Sequence, residues 1–218
     1  MAPALARIAE LAQAHDLAVL GTVRGQRALL PNGIKTLVLL GPDEPGFWNA
    51  FSASAEYLDT AAHPMDRWSQ RNIDAMALEL GARAIYPFDA HPPHPFYSWA
   101  LASGRAWSSP VQFLVHDIAG LWVSFRGALG FAADIPDDMP GAPVGPCTDC
   151  ARPCATACPV GALTPAGYDL PACHAFLNSA DGQRCMTGGC AVRAACPVSQ
   201  GFGRVQEQSS FHMRQFHP

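Results

Sequence analysis

The segment "ALARIAELAQAH" repeats apolar residues at helical spacing, with Leu5, Ile8, Leu11 and Ala12 on one side. That period predicts an amphipathic helix. Two short apolar runs follow, "LAVLGTV" (17–23) and "TLVLLGP" (36–42). Glycine and proline bound them, and they read as buried strands. "GPDEPGFWNAFSASAEYLD" is expected as a loop. "DRWSQRNIDAMALELG" predicts a helix over 66–81 that buries Trp68, Ile73, Met76 and Leu80 and is closed by Gly81. "ARAIYPF" predicts a strand, and "FYSWALASG" a short helix after the proline-rich "HPPHP". "VQFLVHDIAGLWVSFRGALGF" reads as strand-like pieces around a glycine turn.

This succession predicts an α+β fold, with a central sheet and helices against it. Its order is too irregular for a doubly wound sheet. No GxGxxG or P-loop glycine pattern occurs, so a nucleotide fold has no motif to support it. "DIPDDMPGAPVGP" (134–146) is dense in proline and acid and marks the natural boundary. The expected organisation is an α+β domain over 1–135, which holds a cofactor or serves for docking, and a linker over 136–146. A cysteine-rich module over 147–200 follows, with a tail over 201–218. The tail carries Phe211, His212, Met213, Phe216 and His217, and such a stretch is expected to pack back onto the protein.

Composition narrows the classes further. The 218 residues suffice for a hydrophobic core plus a smaller unit, and a charged fraction of 15% speaks against disorder. The net charge of −4 argues against nucleic acid as the main partner. No eighteen-residue apolar run spans a membrane, and Glu10, His15 and Asp16 interrupt any secretory core near the N-terminus. The expectation is a cytoplasmic protein, or one on the cytoplasmic face of a larger assembly.

All eight cysteines lie at or after residue 147: Cys147, Cys150, Cys154, Cys158, Cys173, Cys185, Cys190 and Cys196. In a reducing compartment such crowding points to metal rather than disulfide, and metal would stabilise a module too small for burial alone. "CTDCARPCATACPVGAL" contains C-x2-C-x3-C-x3-C-P. A bacterial ferredoxin run is C-x2-C-x2-C-x3-C-P, and its fourth cysteine ligates the other cluster. Here one residue is inserted before the third cysteine, and a second Cys–Pro recurs at Cys196–Pro197. Zinc is the competing reading, since eight cysteines make two four-cysteine sites. Zinc modules, however, normally use two separated C-x-x-C pairs, and one C-x-x-C occurs here. For two [4Fe–4S] clusters, Cys147, Cys150, Cys154 and Cys196 would serve the first, and Cys158, Cys173, Cys185 and Cys190 the second. The count closes, although Cys185 and Cys190 admit other arrangements.

The cysteine pattern, together with "YDLPACHAFL", resembles the epoxyqueuosine reductases, cobalamin-dependent enzymes of tRNA modification. The resemblance is strongest over 147–197 and extends weakly upstream through "SPVQFLVHDIAGLWVSFRGALGF". It implies an N-terminal domain of the flavin-reductase or cobalamin-processing kind and a dicluster ferredoxin-like module. It also implies that Cys173 ligates the second cluster. Arg193 stands where the family has a cysteine ligand, and Cys185 is expected to replace it. Trp107 stands where the family has its catalytic acid, and the helical-repeat tail that helps hold tRNA is missing. Queuosine chemistry is therefore not carried over, and no catalytic residue is assigned.

Arg105, Trp107, His116, Trp122 and Arg126 fall in the segment that lines the family's cofactor cavity, and they are the candidates for holding cobalamin or flavin. Aromatic faces and hydrogen-bond donors suit a planar macrocycle, but the same residues also read as core and surface positions. Three functions follow. The first is an iron–sulfur electron-transfer protein serving a redox partner or larger enzyme complex. The second is a reductase whose clusters feed a cobalamin or flavin, and the third is a structural or assembly subunit held together by its clusters.

Overall fold

The computed structural model describes residues 3–25, 30–136 and 144–218. Of the expected linker over 136–146, residues 137–143 lie outside the described residues. In chain order the elements are α1 (Leu5–Ala14), β1 (Leu17–Arg24), β2 (Thr36–Pro42), α2 (Phe47–Ser52), α3 (Ala55–Leu58), α4 (Pro64–Leu80), β3 (Arg83–Ile85), α5 (Phe96–Ala102), β4 (Ala106–Ser108), β5 (Leu114–His116) and β6 (Gly127–Phe131). The cysteine-rich part adds a 3-10 turn (Pro153–Ala155), β7 (Leu163–Thr164), β8 (Gly167–Tyr168), α6 (Leu170–Leu177), α7 (Gln183–Gly188), α8 (Ala191–Ala194), α9 (Pro197–Gln200) and α10 (Gln206–Phe216). Helix and sheet are thus mixed, as the α+β reading expects. None of the described helices is long and apolar enough to cross a membrane.

The chain divides into two compact units, Met1–Arg105 with Ser124–Pro143, and Ala106–Val123 with Val144–Pro218. The division is not one cut near residue 135, because Ala106–Val123 groups with the cysteines. The reason is burial. Val111, Val115 and Leu121 share one core cluster with Cys154, Leu163, Val192 and Cys196. Greasy contact across some forty residues of sequence outweighs proximity along the chain.

In the first unit, four antiparallel strands lie in the order β1-β2-β6-β3. Every residue of β2 is buried, which explains a continuous apolar run in place of alternation. α1 packs on β1 through Leu5, Ile8, Leu11 and Ala12. α4 packs on β3 and β6; Trp68, Ile73 and Met76 are buried, Leu80 only half so, and Gly81 closes the helix at φ 63°. The expected loop after β2 instead contains α2 and α3. Phe47 and Phe51, one helical turn apart, both meet Trp68 edge-on, with ring centroids 5.2 and 6.2 Å away. Ser54 caps α3 by accepting the Tyr57 N–H. Aromatic burial of this size contributes roughly 1.5–3 kcal/mol per fully buried side chain, enough to order two short helices.

The second unit combines the helices α6 to α10 with two small hairpins, β4–β5 and β7–β8. After β5, His116 and Gly120 exchange backbone hydrogen bonds of 3.0 Å each, closing a turn. Leu121 then donates its N–H to the Ser199 hydroxyl at 2.8 Å, tying the turn to the residues just after Cys196. Gly120 sits at φ +55°, and a Cβ there would lie 2.4 Å from the Ser199 nitrogen, so glycine is required. α10 packs on α7 and buries Phe211; it carries His212, Met213 and Phe216, and His217 is its C-cap.

Candidate metal centre

Local structure first positions the thiols. Arg152, at φ 56°, turns the chain into Pro153–Ala155, which carries Cys154 inward to 5% exposure. Asp169 caps α6 by accepting the Ala172 N–H at 2.9 Å, and Cys173 lies in that helix's first turn. α7 contributes Cys185, whereas Cys190 and Cys196 are the extended residues that open α8 and α9. Pro197 begins α9 without needing a backbone donor.

Cys147, Cys150, Cys154 and Cys196 line one cavity of about 420 Å³. Val115, Leu121 and Val198 form its apolar wall, and Asp149 and Arg152 also line it. Burial pushes the Cys147 thiol pKa up, and Cys154, Cys150 and Cys196 add to the rise. Cys154 is raised by burial, then by Cys196 and Cys150, while its own and the Ala155 backbone N–H groups pull the other way. Arg152 donates its backbone N–H to the Cys150 sulfur at 3.3 Å.

A second cavity of about 550 Å³ is lined by Cys158 and Cys185 with Thr156, Pro159 and Arg184. Burial raises the Cys173 thiol pKa, the Tyr168 hydroxyl holds it back by donating a hydrogen bond, and Cys190 and Cys158 raise it again. Cys185 is raised by burial, lowered by the Ala191 N–H, raised by Cys190, lowered by Arg184 and raised by Cys158. Electrostatically, therefore, Cys173 and Cys185 each sense Cys158 and Cys190.

Among the described residues, no three His, Cys, Asp or Glu side chains are grouped so as to hold one metal ion. A single zinc would need four sulfurs about 2.3 Å from one point. The first four thiols instead surround a cavity. Four sulfurs around such a volume, with amide N–H groups aimed at them, are compatible with a polynuclear iron–sulfur group.

No protein-family model, curated protein or solved structure matches this chain.

The five residues considered for cobalamin or flavin divide between the units, and none lines either cavity. Arg105 and Arg126 belong to the first. Arg105 is buried, with its N–H donated to Ser103 Oγ at 3.2 Å. Arg126 donates its N–H to the Leu40 carbonyl, and its Nε is buried with no hydrogen-bond partner. Burial holds the Arg126 guanidinium below its ordinary value, against the pull of Asp66. Trp107, His116 and Trp122 belong to the second unit. Trp107 packs against Gly145, two residues before Cys147. His116 is fully buried, and the Ile118 and Ala119 N–H groups both point at its Nδ1 at 3.2 Å. Asp117 Oδ1 lies 3.0 Å from the same nitrogen, and these contacts make His116 a brace for its turn. Trp122 carries the Arg204 guanidinium on its face at 5.2 Å.

Sequence reasoning did not single out Tyr168, Phe113, Leu121 or Ser199. Tyr168, at the end of β8, acts on Cys173 in the helix that follows, and its place in "GYDLPAC" was the one local signal available. The others act through contacts many residues distant, and no spacing rule reveals them.

Proposed function

We propose that this chain is an iron–sulfur electron-transfer protein with two [4Fe–4S] centres, one on Cys147, Cys150, Cys154 and Cys196, the other on Cys158, Cys173, Cys185 and Cys190. On this reading Val144–Pro218 is a dicluster ferredoxin-like module, and the first unit is a domain of the kind found beside it in the resembled family. The observation that carries the reading is the ring of four thiols around the first cavity, in the unit where every cysteine lies. Each group, when bound, takes up one electron from a low-potential donor, such as a reduced flavoprotein, and gives it to a one-electron acceptor without making or breaking a bond. The chain's own part is to hold the thiolates, to donate N–H and O–H hydrogen bonds to their sulfurs, and to exclude water with Val115, Leu121 and Val198.

Anaerobic reconstitution followed by iron and sulfide analysis tests this. About eight of each per chain are expected, falling to about four in Cys154→Ser and in Cys185→Ser. Zinc in place of iron, or no uptake, refutes it.

One observation favours a second reading, a reductase whose clusters feed a cobalamin or flavin. The Arg126 Nε is buried without a partner and suits an acceptor group on such a ligand. The absorption spectrum after incubation with cobalamin and flavin decides it. Iron–sulfur absorption with no retained organic cofactor refutes this second reading and leaves the first intact.

A further inference from the structure

Arg193 is a cation of the second unit that is held from two sides. It lies in α8, three residues after Cys190 and three before Cys196 in the sequence. Its guanidinium donates to the Leu121 carbonyl and rests on the Phe113 ring, 4.6 Å from the centroid. Phe113 in turn meets Tyr168 edge-on at 6.1 Å, and the Tyr168 hydroxyl bonds the Cys173 sulfur. Leu121 is fixed by Ser199, so the carbonyl that anchors the arginine is itself held. One side chain is thus clamped by a carbonyl and an aromatic face in the cysteine-bearing unit. Among the described residues no carboxylate is a hydrogen-bond partner of it; burial holds its pKa below the ordinary arginine value, while Cys190 and Tyr168 favour its charged form.

Arginine keeps its charge under all working conditions, and a planar guanidinium stacked on a ring cannot swing away as a lysine can. A fixed positive charge beside a thiolate-bound group favours the state with one more electron. We propose that Arg193 is a positioning residue for electrons, setting the reduction potential of the centre on Cys158, Cys173, Cys185 and Cys190 above the value its thiolates alone would give. The inference rests on the iron–sulfur reading above. It adds a direction: the guanidinium makes the second centre easier to reduce than it would be without that charge.

The test uses the full chain, reconstituted anaerobically, as wild type, Arg193→Gln, Arg193→Met and Arg193→Lys. Iron and sulfide are counted first, and each centre is then titrated with dithionite while its EPR signal is followed. Arg193→Gln and Arg193→Met should load fully and lower the second centre's reduction equilibrium about tenfold, which is about 59 mV for one electron. Arg193→Lys should retain most of the wild-type value. Full loading with unchanged potentials in the neutral variants overturns the inference and leaves the electron-transfer reading standing. Failure of both neutral variants to hold iron also overturns it, since the arginine is then needed for assembly. A wild-type chain that takes up no iron and sulfide overturns the electron-transfer reading, and this inference with it.

Discussion

Gly120→Ala is the substitution that most directly tests how the second unit is built. A Cβ at this position would lie 2.4 Å from the Ser199 nitrogen, 2.6 Å from its Oγ and 2.8 Å from its Cα. Two of the three atoms are backbone, so a rotamer change at Ser199 does not relieve the contact. The residue also sits at φ +55°, where a Cβ costs about 1–2 kcal/mol. Overpacking adds about 1–3 kcal/mol. Moving the segments apart breaks the buried Leu121 N–H to Ser199 bond, which is worth about 1 kcal/mol. The sum is about 3–6 kcal/mol. Gly161→Ala is the control: its φ is +64° and nothing lies within 4 Å of the added atom, so only the backbone cost of about 1–2 kcal/mol applies. Urea unfolding under argon, followed by far-ultraviolet circular dichroism, measures both. The fit must allow two transitions, because two compact units need not unfold together. The two variants should differ by about 2–4 kcal/mol in the same transition, the difference between the two sums. Equal losses would refute the close approach of Gly120 to Ser199.

Three further outcomes are expected. Tyr168→Phe removes the hydroxyl that holds the Cys173 thiol pKa down, so that pKa rises. Alkylation of Cys173 in the metal-free chain at fixed mildly alkaline pH should slow about fivefold, read by peptide mass spectrometry, and an unchanged rate argues against the hydrogen bond. Arg71 hydrogen bonds hold the Glu56 carboxyl below its ordinary value of 4.5, so this pair's stabilisation is present above that pH and is lost as pH falls through the folded value. Glu56→Gln should therefore cost at most about 1 kcal/mol near neutrality and flatten the acid limb of stability against pH. An acid limb as steep as that of the wild type contradicts this. Arg126→Met replaces a guanidinium whose Nε is buried unpartnered, so urea unfolding should show the first unit unchanged or steadier by about 1 kcal/mol. A loss above about 2 kcal/mol means that the charge is paired in the folded protein.

Local pattern was sufficient wherever one element carried its own instruction. Leu5, Ile8, Leu11 and Ala12 repeat with the helical period, and they are the residues α1 buries. The two apolar runs could bury themselves only as strands, and β1 and β2 span them. The same logic failed after β2, where Phe47 and Phe51 become helical because Trp68 in α4 offers them a face. That partner lies on another element, and no window of sequence around Phe47 contains it. For the site, the cysteines and their prolines were legible as a candidate donor set, since metal ligation demands that residue type at short spacing. Tertiary structure alone decided what surrounds the donors. It assigned Ala106–Val123 to the cysteine-bearing unit, braced Leu121 on Ser199, and set Arg193 between the Leu121 carbonyl, 72 residues away, and the Phe113 ring. Ligation chemistry is written in residue identity and spacing. The environment that tunes it comes from burial and long-range packing, which exist only once the chain has folded.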